Sequence, residues 1–472
     1  MISNKKRNLI EVTEYQRIVD KKKIDLSQIK DEGKKSLYVP VEPNIYSELK
    51  NFVVEYNSSL SKDDDPLEFI KPISDKQARE VILIKNYVGL IKLKSGVQIE
   101  ILPKIELGNT KNAKEETKKI FVKMLMCLNG FPAKLSGNAM LKIKKGMTIF
   151  ELFISMFVDE VRTLVQRGLK SGYVTQEDNL YFFKGKLKMN EQINYNFAHK
   201  ERFYVEYDDF VQNRPENRLI KSTLLKLLRV TSDTSNSKYI KQLLTAFETV
   251  EPSSNYERDI ASIVIDRSTG NYRLLMDWVK VFLFNKSFTN FSGNNESRAI
   301  LFSMQDLFEA YVAKQVVRLY TPLDWTVYPQ HKQYYLFNEP SNIFRIKPDV
   351  VIEKNDRLVI MDTKWKRLNT SAHYNYGISQ GDMYQMYAYS MKYYNNRKLK
   401  TFPEVWVLYP KTEEMISVLD SEDDCTINFR DDEGVKIHAY FLDIESLVND
   451  SENNSLTELL KRIESEQPPV EV

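Results

Sequence analysis

The segment FRIKPDVVIEKNDRLVIMDTKWK, residues 344–366, contains two short apolar runs joined by a polar turn. Short runs rich in Val and Ile between turn residues predict the two strands of a buried β-hairpin. An aspartate nevertheless interrupts each run, at Asp349 and at Asp362, and Lys364 follows two residues after the second. Three charges in a hairpin of this kind require either contact with solvent or a bound ligand.

The turn determines which residues of the two strands face each other. Asn355 and Asp356 tolerate the positive φ that tight hairpin turns require, so we place them at the centre of the turn. Asp349 and Asp362 then lie at equal distances from the turn and face each other. Lys364 lies on the same face as Asp362, because side chains alternate along a strand. A bulge or a longer turn would shift this register by one residue.

Two facing aspartates among apolar neighbours indicate a metal site. Directly opposed like charges are destabilising, and burial increases the cost. Mg²⁺ removes this repulsion and usually keeps several waters beside one or two carboxylates. We therefore predict Asp349 and Asp362 as ligands of Mg²⁺, with Mn²⁺ as a possible substitute, and Lys364 as a group that orients a water or stabilises charge on a phosphate. An exposed, charged strand edge is the alternative.

The composition excludes several other classes of protein. The two cysteines, Cys127 and Cys425, have no CxxC partner, and the four histidines show no HExxH or other zinc spacing. There is no signal-peptide pattern and no run near the roughly 20 apolar residues of a membrane span. A cytoplasmic protein with no membrane contact is therefore expected. The net charge of +3 neither requires nor excludes nucleic acid.

The order of the predicted elements indicates a multidomain α+β protein. Residues 1–115 are expected to form a β-rich N-terminal module, with a hairpin of GLIKL and VQIEI around Gly96 and with Pro103 ending its second strand. Residues 116–294 are expected to be mainly helical. The three clearest helical patterns there are Thr148–Leu169, Glu216–Thr231 and Asn271–Asn285. Between the first two lies a polar, aromatic insertion, residues 173–196, interpreted as a small hairpin.

Residues 295–450 are predicted to form a C-terminal α/β domain. A helical pattern, Ser303–Tyr320, precedes strand patterns at WTVYPQ, KPDVVIE, LVIMDTKW and EVWVLYP, with a further helix at GDMYQMYAYSMKYY. This mixed order suggests a central mixed sheet flanked by helices. Residues 451–472 are expected to be a C-terminal tail that begins with a short helix.

The Pro348-Asp349 pair followed by Asp362-Thr363-Lys364 resembles the PD-(D/E)xK nuclease superfamily. The resemblance implies that the C-terminal domain is a PD-(D/E)xK endonuclease core. It also adds site residues. Glu309 matches the extra acidic residue that many members carry on the helix before the core. Gln385 and Tyr389 match the QxxxY element of the helix after the core strand, and as an i, i+4 pair they share a helix face.

More narrowly, the chain resembles the McrC family, the nuclease subunits of McrBC-type modification-dependent restriction systems. The resemblance is carried by GVQIEILPKI, RGLKSGYVTQEDNLYFFKGKL, YDDFVQNRPENRLIKSTL, LFEAYV, KPDVVI, DTKWK and DMYQMYAY. It implies Mg²⁺-dependent cleavage of double-stranded DNA that carries modified bases of the 5-methylcytosine type. The catalytic residues would be Asp349, Asp362, Lys364, Glu309, Gln385 and Tyr389. Roughly the first 75 residues match no pattern of the family.

The same resemblance implies a partner, an AAA+ GTPase of the McrB type. The N-terminal module of the family docks on this partner and stimulates its GTPase activity. The chain contains no G-x-x-x-x-G-K-[ST] motif, so it is expected to bind no nucleotide through a P-loop. Two other functions stay open at this stage. The chain could be a regulatory adaptor of a GTPase that does not cleave DNA, or a stand-alone PD-(D/E)xK nuclease of DNA repair.

Overall fold

The computed structural model divides the chain into two compact units. One unit contains Met1–Phe131 and Ile300–Val472, and the other contains Pro132–Ala299. The structure describes residues 9–25, 27, 29, 31–58, 70–74, 80–105, 113–129, 131, 146–264, 270–284, 299–355, 357–366, 368, 371–416, 425–448 and 454–465.

The N-terminal part of the first unit is built mainly from strands. Its elements are β1 (Leu9–Thr13), β2 (Arg17–Asp20), α1 (Glu32–Lys35), β3 (Tyr38–Val41), α2 (Pro43–Ser58), β4 (Ile70–Ser74), β5 (Glu80–Ile84), β6 (Tyr87–Lys92), β7 (Gln98–Leu102) and α3 (Ala113–Leu125). One sheet has the order β3-β2-β5-β4, and another begins β1-β7-β6. The predicted hairpin is confirmed, because β6 and β7 pair antiparallel and β7 ends just before Pro103.

The second unit contains the helical region. Its elements are α4 (Ile149–Arg167), β8 (Gly172–Leu180), β9 (Lys186–Leu187), α5 (Met189–Asn196), β10 (Phe203–Val211), α6 (Pro215–Val230), α7 (Thr234–Ala246), α8 (Tyr256–Ser262) and α9 (Arg273–Phe284). The three predicted helices are confirmed as α4, α6 and α9, and the hydroxyl of Thr148 caps α4 by accepting the N–H of Glu151. The apolar faces of α4 and α9 meet at Trp278, whose ring centroid lies 5.8 Å from that of Phe153 on α4.

The interpretation of residues 173–196 as a hairpin is wrong. β8 and β9 do not pair with each other, because β10 lies between them and pairs antiparallel with both. The segment instead consists of two strands and the helix α5, and its sheet is completed by β10. A nine-residue β8 has its full set of partners only in the equally long β10, which begins after the helix.

The segment NRPENRLIK has a structural role in this unit. Asn217 is fully buried, and its side-chain amide donates to the carbonyl oxygens of Lys170 and Gln212. The hydroxyl of Tyr272 donates to the amide oxygen of Asn217. Arg218 forms an ion pair with the buried Asp259. These polar contacts connect the start of α6 to the turns around it.

The C-terminal part of the first unit contains the central sheet. Its elements are β11 (Ala299–Ser303), α10 (Met304–Tyr320), β12 (Thr326–Pro329), β13 (Tyr335–Phe337), β14 (Ile343–Arg345), β15 (Val350–Lys354), β16 (Arg357–Thr363), α11 (Gln380–Arg397), β17 (Glu404–Pro410), α12 (Glu413–Ile416), β18 (Thr426–Arg430), β19 (Lys436–Leu442), α13 (Ile444–Val448) and α14 (Ser455–Ser465). β11 joins the sheet of β1, β7 and β6 beside β6.

The predicted central mixed sheet is confirmed. Six strands lie in the order β12-β15-β16-β17-β19-β18. β16, β17 and β19 run parallel, and the other pairs are antiparallel. α10 and α11 both pack against β16. The helix α14 buries Leu456, Leu459 and Ile463. No helix in the described part of the chain is long and apolar enough to cross a membrane.

Candidate active site

The hairpin register predicted from the turn is confirmed. β15 pairs antiparallel with β16 from Lys354↔Arg357 to Val350↔Met361. Asn355 has the positive φ, 54°, that a tight turn requires, whereas Asp356 lies outside the described residues. The next pair in this register is Asp349 with Asp362, so the two aspartates face each other one position beyond the ladder.

Asp362 and Lys364 lie at the carboxyl end of the central strand β16. The ammonium of Lys364 donates a hydrogen bond to Oδ2 of Asp362. Asp362 is 1% exposed, and the Lys364 side chain is 14% exposed. The alternative of an exposed strand edge is therefore wrong, because β16 is covered by helices and lies between β15 and β17.

Asp349 is held by groups on both neighbouring strands. Its carboxylate Oδ2 accepts the N–H and the hydroxyl of Thr363, each at 2.6 Å. Its carbonyl oxygen accepts the N–H of Gln330 at 2.7 Å. Thr363 is the middle residue of the Asp-x-Lys motif, between Asp362 and Lys364. It therefore fixes the carboxylate of Asp349 on the opposite strand of the hairpin.

The buried charges perturb one another. Burial raises the pKa of Asp349, and the negative charges of Asp362 and Glu309 raise it further. Burial also raises the pKa of Asp362, although its contact with Lys364 offsets part of that effect. For Lys364, burial acts to lower the pKa, but Asp362 and Asp349 outweigh it, so the pKa is raised and the amine stays protonated.

Glu309 lies beside this pair, on α10. Its Oε1 accepts the side-chain N–H of Gln330 at 2.9 Å. Gln330 has a positive φ of 47°, which is uncommon for a residue with a side chain. One residue thus contacts Glu309 through its side chain and Asp349 through its backbone, which fixes the position of both acidic groups.

Gln385 and Tyr389 form a pair on α11, as their spacing predicts. The amide of Gln385 donates to the Tyr389 hydroxyl at 2.6 Å. Tyr389 is 3% exposed. Burial raises the pKa of its hydroxyl, and the charges of Asp362 and Asp349 contribute to that shift. The structure therefore brings all six predicted residues into one region around the end of β16.

Gln305 and Glu14 are contacts that sequence analysis missed. The side chain of Gln305 accepts the N–H of Trp365 at 2.8 Å and donates to the carbonyl of Thr363 at 2.6 Å. Gln305 precedes Glu309 by one helical turn, so the helical repeat could have indicated it. The indole N–H of Trp365 donates to the fully buried carboxyl of Glu14, 351 residues away, and no sequence signal indicates that contact.

Three basic residues lie close to Pro348 or Lys364 in the sequence: Arg345, Lys366 and Arg367. Lys366 forms an ion pair with Asp382 at 2.6 Å, and its side chain is 41% exposed. Arg345 is exposed and its guanidinium lies over the ring of Tyr335. Arg367 lies outside the described residues.

The donor set suits a hard cation with few protein ligands. Among the described residues no group of three or more His, Cys, Asp or Glu side chains is arranged to hold a metal. A site here would therefore have the two facing carboxylates of Asp349 and Asp362 as its acidic ligands. Mg²⁺ matches this set, because it usually keeps several waters and binds one or two carboxylates.

Fold and site together define a multidomain α+β protein with a mixed central sheet. Asp349, Asp362 and Lys364 form a carboxylate–lysine cluster at the end of its central strand, β16. Residues 82–410, more than two thirds of the chain, match the family described as "McrBC 5-methylcytosine restriction system component". The chain belongs to this family, which confirms the resemblance stated from the sequence. The match begins after the N-terminal segment that showed no family pattern.

One solved structure shares the fold of this chain at low sequence identity. A chain of the refined half-complex from the tetradecameric assembly of Thermococcus gammatolerans McrB AAA+ hexamers with bound McrC aligns with a TM-score of 0.68. It is 18% identical and the alignment covers 97% of this chain and 99% of that chain. The Thermococcus gammatolerans McrBC complex solved by cryo-EM aligns with a TM-score of 0.47 at 20% identity, over 66% and 87% of the two chains. No curated protein matches the sequence.

Proposed function

We propose that this chain is the endonuclease subunit of a modification-dependent restriction system and hydrolyses phosphodiester bonds of DNA that carries 5-methylcytosine-type bases. The observation that carries the proposal is the contact of Lys364 with Asp362, opposite Asp349, at the buried end of β16. Buried like charges of this kind cost stability, so their presence points to a ligand and to chemistry. The region would then be a PD-(D/E)xK nuclease core.

Membership in the McrBC family supports this function and supplies the partner. The matched solved assembly contains McrB AAA+ hexamers with bound McrC. We propose the same arrangement for this chain: it binds an AAA+ GTPase of the McrB type, stimulates its GTP hydrolysis and cleaves the DNA that the partner recognises. Such a complex would act in defence against foreign DNA.

Asp349 and Asp362 would hold Mg²⁺. When bound, the ion would offset the repulsion of the two carboxylates and stabilise negative charge on the phosphate. Thr363 holds the Asp349 carboxylate in place through two hydrogen bonds. Asp362 keeps Lys364 protonated, so Lys364 can donate hydrogen bonds to the attacking water and to the phosphate oxygens. Water would attack the phosphorus in line with the leaving oxygen: the new P–O bond forms as the bond to the leaving oxygen breaks, the attacking water gives a proton to solvent, and the leaving oxygen takes one up from solvent.

The remaining predicted residues take supporting roles in this proposal. Glu309, held by Gln330, would assist through a water or as an acidic partner of a second metal. Gln385 and Tyr389 would orient Lys364 or contact the DNA backbone from α11. Gln305 would keep the backbone around Lys364 in register, because it bonds the residues on either side.

Cleavage of a methylated plasmid by the chain with its partner, GTP and Mg²⁺ tests the proposal. Asp362→Ala should abolish cleavage and leave stimulation of the GTPase intact. Asp277→Ala, which changes a half-buried carboxylate paired with Lys280 in the second unit, is the matched control and should cleave normally. Undiminished cleavage by Asp362→Ala would refute the site. Stimulation of the GTPase without any cleavage by the wild-type chain would favour the adaptor, and cleavage without partner or GTP would favour a stand-alone repair nuclease.

A further inference from the structure

A small cavity lies where the carboxyl ends of strands from two sheets meet. β1 and β7 run parallel in one sheet, and β16, β17 and β19 run parallel in the other. The cavity walls include residues that follow each of these five strands: Tyr15, Lys104, Lys366, Lys411, Thr412 and Asp443. Crevices beyond the carboxyl ends of parallel strands are where ligands commonly bind in open α/β sheets.

The charges around this cavity favour an anion. Three lysines line it, against one carboxylate, that of Asp443. Oδ1 of Asp443 accepts the N–H of Glu445 at 3.0 Å. Lys366 forms an ion pair with Asp382, but its side chain is 41% exposed and can contact a second group.

The hydroxyl of Thr412 supplies an independent observation. Thr412 is 8% exposed, and its Oγ1 is buried with no hydrogen-bond partner among the described residues. An unsatisfied buried hydroxyl is costly, and most such groups in folded proteins have a partner. Thr412 lines the cavity, and a change of its χ1 rotamer would present this hydroxyl to a ligand oxygen there.

The size of the cavity limits the ligand. Its volume is about 30 Å³. A single water requires about 10–15 Å³ on the same measure, so the enclosed space fits a small polar group and excludes a nucleobase. Lysines serve as point-charge partners of phosphate, and a hydroxyl donates readily to a phosphate oxygen.

We propose that this cavity is a subsite for one phosphate of the DNA backbone, an inference that rests on the proposed nuclease function. Trp365 and Lys366 belong both to the cavity wall and to the segment directly after Lys364. A phosphate bound here therefore lies next to the carboxylate–lysine cluster, and it sets the register of the duplex on the cleavage site. Residues of the N-terminal sheet, at Tyr15 and Lys104, complete the subsite.

Fluorescence anisotropy tests the subsite. It measures the binding of a DNA duplex to the full chain over a range of NaCl concentrations, without divalent metal. Loss of one phosphate contact lowers the slope of log K against log salt by about 0.9. Lys411→Gln should show this change, whereas Lys461→Gln, at an exposed position on α14, should not. Thr412→Val should raise the Kd about tenfold. An unchanged slope in Lys411→Gln, or no duplex binding by the wild-type chain, would overturn the proposal.

A second measurement separates DNA from free phosphate as the ligand. Trp365 lines the cavity, so its fluorescence, identified by comparison with Trp365→Phe, should respond to the duplex, and inorganic phosphate should compete. A response to inorganic phosphate alone would indicate a free-anion site and overturn the assignment to DNA. Repeating the salt series with Asp362→Ala separates the subsite from the cleavage site. The change of salt slope caused by Lys411→Gln should persist in this background even if the nuclease proposal fails. If only the subsite proposal fails, the wild-type chain should still cleave DNA.

Discussion

The side-chain amide of Gln305 bonds the main chain on both sides of Lys364. It donates to the carbonyl of Thr363 at 2.6 Å and accepts the N–H of Trp365 at 2.8 Å. Beyond the end of β16, the side chain of Gln305 on α10 thus makes the hydrogen bonds that a neighbouring strand would otherwise make. Phe308 on the same helix packs edge-on against Trp365. These contacts fix the path of the chain where Lys364 turns towards Asp362.

Gln305→Leu should therefore lower the cleavage rate about 10- to 100-fold, because loss of a group that orients an active-site segment has effects of this size. Binding of the duplex should change little. Gln305→Glu keeps an acceptor for the N–H of Trp365 but loses the donor to the carbonyl of Thr363. Its cleavage rate should therefore lie between those of the wild type and Gln305→Leu. Gln242→Leu, at an exposed site in the second unit, is the control. Equal cleavage rates for the wild type and Gln305→Leu would show that the two hydrogen bonds of Gln305 do not position Lys364.

Glu14 should make the stability of the first unit depend on pH. Burial raises the pKa of its carboxyl from 4.5 to about 8, against the opposing effect of N–H donors from Lys104 and Trp365. Between these two values the folded chain keeps a proton that the unfolded chain has lost. The contribution of Glu14 to stability is thus full below about pH 4.5 and is lost as the pH rises to about 8, by up to about 1.4 kcal/mol per pH unit.

Urea unfolding at pH 5.5 and pH 8.5 measures this dependence. The wild-type chain should lose more stability over that interval than Glu14→Gln, which cannot ionise. Glu116→Gln changes a surface carboxylate that is paired with Lys119 and should follow the wild type. If Glu14→Gln and the wild type show the same pH dependence, the carboxyl of Glu14 is not protonated in the folded chain.

Gly89 should be the least replaceable glycine of the N-terminal sheet. Its φ is +135°, and a Cβ there would lie 2.1 Å from the carbonyl oxygen of Ile300 on the neighbouring strand β11. Gly89→Ala should cost at least about 3 kcal/mol, since backbone atoms have to move. Gly96→Ala is the matched control: its φ is also positive, +85°, but nothing lies within 4 Å, so the cost should be about 1–2 kcal/mol. Similar melting temperatures for the two variants would contradict the close approach of β6 and β11.

The hairpin register could be predicted because local chemistry decides it. Asn355 adopts the positive φ that its residue type allows, and the two apolar strands permit only one pairing that keeps both aspartates together. The long amphipathic helices and the central sheet could be predicted for the same reason, since their periodicity is contained in consecutive residues. The domain boundaries stated from the sequence stay predictions.

Other contacts depend on residues far apart in the chain. Glu14 meets Trp365 across 351 positions, and nothing near either residue indicates the pairing. β8 pairs with β10 and not with β9, because tertiary context overrides the nearer partner. Gln330 acts partly through its backbone, and its left-handed conformation follows from the surrounding structure and not from its residue type.

Lys364→Ala provides the most direct test of the proposed cleavage centre. The variant, assembled with its AAA+ partner, should be assayed in the same reaction for cleavage of a methylated plasmid under single-turnover conditions and for GTP hydrolysis. Loss of the only amine that contacts Asp362 among the described residues should slow cleavage at least about 100-fold. Stimulation of the GTPase should remain at the wild-type level. Cleavage at the wild-type rate would contradict the account, because the carboxylate–lysine cluster would then not be the centre that breaks the phosphodiester bond.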